Sequence, residues 1–471
     1  MNNDDKTDLV INGTWYYDAD HPSVHGTLKI SHDNIEIDLY FGESHHISPH
    51  DLIDEDIMIL RGVGQNGLLI TLIKCHPAGV SLTSGNILTA QYWCEDALLN
   101  SHLDDPDEAK YQSVSIIFGE PISRFTRRID TIDIQKLSDS EFNTVIRFNT
   151  EKTLNSYVLE SDSVDLKITT SLRKSHNSFE CKSHFVIDVS SNHEKRSIRT
   201  WRTSVERYRY FFSIVLGCTL SVQMLHVREE SGKGMGIRLI PPACDALDER
   251  GPRIAYTYTD VQGSLDGYLS SWAEKLVRYE STCSIIFQQN EASIPIETGF
   301  LTYFQAIEAI YRAGLYEKPR GKLLSDFNPI KKRLLKIIED VKDSRFQAVA
   351  SQRIKQLNEL PLGDKVRCFC DSFETNVVIL LGIDNDAIKE LNGLRNRLTH
   401  MTEGTLLEDV NISKLLKWMT ILRFLIILFM MKELGFDELD SANRLRSTEN
   451  FADLIGGHTI ERRIPIPNER F

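Results

Sequence analysis

Phe300-Leu-Thr-Tyr-Phe-Gln-Ala-Ile-Glu-Ala-Ile-Tyr-Arg312 decides how the second half of the chain is read. Phe300, Phe304, Ile307 and Tyr311 recur at three- and four-residue steps, which puts them on one face of an α-helix over roughly residues 297–315. The same period continues downstream. Pro329 opens a second helix rich in Lys and Leu, since a proline in the first turn sacrifices no intrahelical hydrogen bond. A third helix covers about 364–381. A fourth, about 385–401, aligns Ala387, Leu391, Leu394 and Leu398 on one stripe. The fifth, about 410–434, carries Leu415, Met419, Leu422, Ile426 and Met430, interrupted by Lys417 and Arg423. Amphipathic helices in this succession imply an up-and-down helical bundle over 291–440.

Upstream the period is two. Short alternating or β-branched segments, separated by Gly, Asn, Asp and Pro, run from about residue 10 to 190. Examples are His25-Gly-Thr-Leu-Lys-Ile-Ser, Ile35-Glu-Ile-Asp-Leu-Tyr-Phe, Leu68-Leu-Ile-Thr-Leu-Ile and Phe185-Val-Ile-Asp-Val. This pattern belongs to an antiparallel sandwich or barrel. A helical patch at Ser197 to Leu216, a strand at Ser221 to Val227 and a long helix from near Gly267 follow. The expected architecture is therefore α+β and multidomain. Residues 1–190 form a β-rich region, 191–290 a mixed helical and strand connection, 291–440 the helical bundle, and 441–471 a polar tail. That tail ends in Ile464-Pro-Ile-Pro and reads as extended or loosely attached. No internal repeat is visible.

With 471 residues, 41% of them hydrophobic, the chain can bury two or three cores. Its acidic start, MNNDDKTDLV, lacks the basic and apolar regions of a secretory signal, and the apolar run Phe424 to Met431 is too short to cross a bilayer. A cytoplasmic protein that does not enter a membrane is expected. The eight cysteines are too sparse for a disulfide scaffold and lack CxxC pairing, so they read as reduced thiols. The net charge of −13 is uneven: 26 Lys and Arg balance 26 Asp and Glu from residue 291 onward, so the acidic excess lies before it. Contact with nucleic acid must then be local, made by clustered Arg and Lys.

Most motif-like stretches yield to simpler explanations. Gly62-Val-Gly-Gln-Asn-Gly67 has dinucleotide-loop spacing but leads into a strand, so it reads as a hairpin turn at Asn66-Gly67. Gly232-Lys-Gly-Met-Gly236 lacks the end of a P-loop. His45, His46, His50, Cys75 and His76 have no spacing that demands a metal, and Asp104-Asp-Pro-Asp-Glu108 lacks calcium-loop periodicity. No metal or other cofactor is expected. Arg196, Arg199, Arg202, Arg207 and Arg209, interleaved with Trp201, Tyr208 and Tyr210, suit either RNA or pairing with the carboxylates of the same acidic half.

Arg395-Asn396-Arg397-Leu398-Thr399-His400 is different. Chance supplies an Arg followed closely by His in a chain with this many of both, so context carries the argument. The motif ends the fourth helix, Asn396 and His400 are i,i+4 neighbours, and Leu394 and Leu398 turn inward. Cleavage of RNA by its own 2′-hydroxyl needs a base, an acid for the departing 5′-oxygen, and positive charge on the phosphorane. His400 fits either of the first two roles and Arg395 the third. The helix carboxyl end favours protonated His400. One such pair supplies too few groups; two helices meeting across a twofold axis double the set.

At these residues the sequence resembles a HEPN domain, whose signature is Arg-polar-x3-His on a bundle helix, and more closely the ApeA-like anti-phage HEPN proteins. The segments Phe300 to Arg312 and Glu390 to Met401 are similar to that family's two anchor segments. Gly13-Thr-Trp-Tyr, Gly26-Thr-Leu-Lys-Ile, Ile59-Leu-Arg-Gly and Ile70-Thr-Leu-Ile-Lys-Cys75 resemble its β-rich amino-terminal domain. The resemblance implies an abortive-infection effector, a restrained ribonuclease that a phage protein wakes to cut host RNA, tRNA above all. It implies a homodimer in which Arg395 and His400 of two copies form one site. Asn396 would orient that site, and Glu308 would pair with the motif arginine, though an exposed helix glutamate accounts for it equally well. Arg397 lies outside the signature, and its charge suits either RNA phosphate or solvent. Apart from the resemblance, the size, acidity and lack of catalytic motifs of the β-rich region point to a sensing and restraining role. The alternatives are a non-catalytic dimerisation or binding module, which has no need of the complete polar set, and a nucleotide-dependent toxin that leaves RNA whole.

Overall fold

The computed structural model describes residues 9–16, 23–31, 34–42, 57–83, 87–105, 109–119, 122–126, 132–136, 144–148, 150–159, 161–174, 179–228, 234–238, 253–288, 295–317, 322–399, 411–448 and 451. The chain divides into two compact units. One comprises Met1–Gly251 with Tyr256–Ser270, the other Pro252–Ala255 with Ser271–Phe471.

The first unit opens with β1 (Leu9–Tyr16), β2 (Val24–Ile30), β3 (Ile35–Phe41), β4 (Ile57–Gly64), β5 (Leu69–Thr83) and β6 (Ile87–Leu99). Every pairing among them is antiparallel, and because β6 bonds both β3 and β5 the six strands close into a barrel. Alternation in β2 and β3 sends Leu28, Ile30, Ile37, Leu39 and Phe41 inward around the fully buried Trp15. Gly62 makes room for that indole: a Cβ there would stand 2.2 Å from the ring. Gly67, at φ 77°, closes the β4–β5 hairpin, so the hairpin turn falls at Asn66-Gly67 as the sequence context implies, with Gly62 to Gly64 in β4.

The chain continues past the barrel through β7 (Lys110–Tyr111), β8 (Ser113–Phe118), a short α1 (Ile122–Phe125), β9 (Ile132–Lys136), β10 (Thr144–Phe148), β11 (Glu151–Leu159), β12 (Asp162–Lys174), β13 (Phe179–Ser191) and β14 (Arg196–Ser197). After α2 (Ile198–Leu216) come β15 (Val222–Arg228) and β16 (Gly234–Arg238). β16 pairs with the end of β6, and the order β16-β15-β8-β13-β12-β11 extends one face outward. β9 with β10 and β7 with β14 form two small separate ribbons. Ser197 caps α2 by accepting from the Thr200 amide, and Gly217 at φ 72° ends it. Phe212 of α2 meets Phe118, Phe125 and Phe185 at ring separations of 6.3, 5.5 and 5.3 Å, locking helix to sheet.

The arginine run on and before α2 is mostly taken up within the unit. Arg196 makes a bidentate pair with Asp162, Arg202 pairs with the buried Asp96, and Arg209 with Glu206 at 2.7 Å. Cys75 and Cys94 face each other across β5 and β6 with Sγ atoms 3.4 Å apart, while His76 stacks on Trp93 at 4.1 Å. His45, His46, His50 and residues 106–108 lie outside the described residues.

A short α3 (Tyr258–Val261) precedes α4 (Leu265–Gln288), within which the boundary between the units falls. The second unit continues with α5 (Ile296–Ile310), extended by a π-turn at Tyr311–Leu315, then α6 (Asn328–Glu339), α7 (Ser344–Gln356), α8 (Leu362–Cys370), α9 (Thr375–Leu380), α10 (Asn385–Thr399), α11 (Ile412–Leu434) and α12 (Glu438–Ser447). α11 is its axis. From Phe424 to Met431 every residue is buried, and Phe429 gathers Tyr279, Phe369 and Phe373 around it. Each such side chain contributes about 1.5–3 kcal/mol on burial, which explains why so apolar a run needs no membrane. No helix among the described residues is long and apolar enough to cross one.

Three sequence expectations need amendment. The stretch 364–381 is broken into α8 and α9 by a turn in which Ser372 and Phe373 bond back to Phe369 and Cys370. α7, which buries only Ile354, leaves no apolar period in the sequence. The tail beyond Asp440 is not loose at its start: residues through Ser447 belong to α12, capped by Asp437 and packed through Ala442 and Leu445.

Candidate active site

α10 carries the motif. Asp384 accepts from the Ala387 amide to start the helix, and Ile388, Leu391, Leu394 and Leu398 form its buried edge. Ile388 takes the place expected for Ala387, one position along. α10 packs against α5 and α8. At Gly363 of α8 a Cβ would stand 3.0 Å from Asn392 Nδ2, so the small residue lets α8 approach α10 closely.

With that edge buried, the last turn presents its polar residues outward. Arg395 is half-buried, and Asn396, Arg397 and Thr399 are exposed. Arg395 Nη1 donates to Asn396 Oδ1 at 3.2 Å, which fixes the two side chains relative to each other. The Thr399 hydroxyl donates back to the Arg395 carbonyl at 3.0 Å. His400 lies outside the described residues, as does the rest of the connection to α11. That connection is bracketed by an ion pair. Lys414 Nζ, on the first turn of α11, stands 2.6 Å from Glu390 Oε1 on α10. The hydrogen bond from Lys414 holds the Glu390 carboxyl below its usual range against the opposing effect of burial.

Glu308 stands on α5, but Lys365 engages it rather than Arg395. The buried Lys365 ammonium is 3.4 Å from Glu308 and 2.8 Å from Glu359, and lies 5.0 Å from the centre of the Tyr311 ring. Glu359 in turn accepts from Arg312 at 3.4 Å. This network ties α5, α8 and the segment before α8 together directly behind α10. Its members are far apart in sequence, so periodicity could not announce it. Arg397, the basic residue of the last helical turn, makes no ion pair among the described residues.

In the first unit a cavity of about 460 Å³ is lined by Ile59, Ile73, Lys74, Asp96, Arg199 and Arg202 among others. Lys74 occupies the left-handed backbone region at φ 49° in mid-strand, a conformation that costs a non-glycine residue about 1 kcal/mol or more.

Comparison with known families agrees with this division. The ApeA N-terminal domain 1 family matches residues 10–272, more than half of the chain, and the Apea-like HEPN family matches residues 301–440. The chain belongs to the ApeA family. No curated protein and no solved structure matches it. The ApeA match spans the barrel, the extended sheet and α2; the HEPN match spans α5 to the start of α12 and includes the motif. The family is one of anti-phage HEPN nucleases, and the helical unit is its HEPN bundle.

Proposed function

We propose that this ApeA-family chain is a metal-independent endoribonuclease that cuts host RNA, tRNA above all, when a phage component lifts a restraint imposed by its amino-terminal unit. The carrying observation is the outward Arg395–Asn396 pair at the end of a helix whose other edge is buried. Two copies meeting at this helix bring two Arg395 and two His400 to one phosphate. One His400 takes the proton of the 2′-hydroxyl as its oxygen attacks phosphorus. The Arg395 guanidinium neutralises the phosphorane. The partner's His400 gives a proton to the 5′-oxygen as its bond to phosphorus breaks. The products carry a 2′,3′-cyclic phosphate and a 5′-hydroxyl.

In this reading Asn396 orients Arg395, Arg397 lies where it can meet an RNA phosphate, and Glu308 acts through Lys365 to hold α5 against the bundle. The charged cavity of the first unit supports a sensing role there. The enzyme acts in the cytoplasm, where host RNA is. Arg395→Ala and His400→Ala are each expected to lower cleavage of RNA in phage-triggered cells by at least about a hundredfold while leaving the melting temperature and dimer unchanged. Mapping of 5′-hydroxyl RNA ends, with EDTA present in the matching reaction on purified protein, checks both site and mechanism. Full toxicity of either variant, or strict dependence on a divalent ion, would refute the reading.

A further inference from the structure

Between the bundle core and α8 the chain makes an excursion, the helical hairpin α6–α7. Its root is pinned. The buried Asn358 side chain accepts from the Leu324 amide at 2.8 Å and donates to the Leu324 carbonyl at 2.9 Å, and Lys322 bridges to Glu359. Beyond the root the hairpin is bare: α6 has no buried residue at all.

Its charge is the reverse of the protein's. Residues 322–357 hold nine Lys and Arg against four Asp and Glu, a net +5 in a chain of −13. Lys331, Lys332, Arg333 and Lys336 on α6, Lys342 in the turn and Arg345 on α7 have no ion-pair partner among the described residues. Several other cations of the unit are engaged, as with Lys365, Lys414, Lys432 and Arg444. Lys332 and Lys336 are like charges at i,i+4, which disfavours the helix unless an anion lies across them.

We propose that α6–α7 is an arm that grips the phosphate backbone of a folded RNA stem and presents it to α10. The inference rests on the ribonuclease reading for the identity of the polyanion. Three of the four cations on α6 are lysines, which bind phosphate as point charges and do not read base edges. The hairpin offers no Tyr, Trp or His on which an unpaired base would stack; its aromatics are Phe327 and Phe346. That combination favours a paired stem over a single strand. The root places the arm beside the site, since Glu359 is bound by Lys365 of α8, and α8 abuts α10 at Gly363.

The test uses the full chain silenced by His400→Ala, with and without K331E/K332E/R333E/K336E, binding a labelled RNA hairpin and labelled oligouridine across a salt series. The arm predicts that the fourfold variant binds the hairpin at least about tenfold more weakly at low salt, with a log–log salt slope smaller by about 3. It also predicts a smaller loss for oligouridine. The neutral K331Q/K332Q/R333Q/K336Q set should fall between, and circular dichroism should match throughout. Unchanged affinity and slope would overturn the arm while leaving the nuclease reading intact. If hairpin binding depends on the arm but the unsilenced chain cuts no RNA, the arm stands and the nuclease reading fails. Arm-dependent binding to phosphatidylglycerol-containing vesicles in place of RNA, or loss of self-association with RNA binding retained, would also overturn it.

Discussion

At the scale of single residues, the pair Glu390–Lys414 does work that neither residue's sequence surroundings reveal. It clips the start of α11 to the motif helix across the connection that contains His400. The Glu390 carboxyl titrates below its ordinary value of 4.5 in the folded chain because Lys414 bonds its charged form. A folded-state value below the unfolded one means the stabilisation is complete above the unfolded value and vanishes as pH falls through the folded one. Both side chains reach solvent, so the contribution is below about 1 kcal/mol. Glu390→Gln should therefore melt below wild type at neutral pH, and the gap should close as pH falls below the ordinary carboxylate range and shrink in high salt. A gap in melting temperature that persists at low pH would show that packing, not ionisation, links the helices. The sequence made Arg395 and Asn396 legible because they share a motif and a helical turn. Lys365, Glu359 and Lys414 were not legible, since each finds its partner through tertiary contact alone. For the same reason the family resemblance implied Arg395 as the partner of Glu308, where folding supplies Lys365.

At the scale of elements, alternation in β2 and β3 and the 3.6-residue period of α5 and α10 were readable because each buries one face against a single core. Barrel closure was not readable. It depends on β6 bonding β5 along its length and β3 along part of its other edge, a register set by long-range contacts. α7 and α12 escaped notice because a helix that buries one to four residues leaves little apolar rhythm. Closure depends on Trp15 fitting against the bare backbone at Gly62. Gly62→Ala forces a methyl to 2.2 Å from the indole, and overpacking of this kind costs about 1–3 kcal/mol. The expected result is loss of hydrogen-exchange protection across β1, β2 and β4, with α11 unchanged. Adding Trp15→Phe should then destabilise less than it does alone, a coupling that a double-mutant cycle reads directly. Full additivity would show that the two positions do not share the space.

At the scale of the whole molecule, the proposed composite site obeys an arithmetic that separates it from a site complete in one chain. If wild-type and Arg395→Ala chains assemble at random, wild-type homodimers fall as the square of the wild-type fraction, while wild-type chains fall only in proportion. At nine parts variant to one of wild type, a self-sufficient site keeps about one tenth of the activity and a composite site that needs both arginines about one hundredth. Co-expression of differently tagged copies, followed by RNA cleavage measured across a range of ratios, distinguishes the two curves. A quadratic fall means that α10 of one copy completes α10 of the other. A linear fall would leave the single Arg395 and His400 to do all the chemistry, and a group outside the motif would then have to serve as the second proton carrier. Dilution gives an independent check, because a composite site loses activity per chain as dimers dissociate, whereas a self-sufficient site does not.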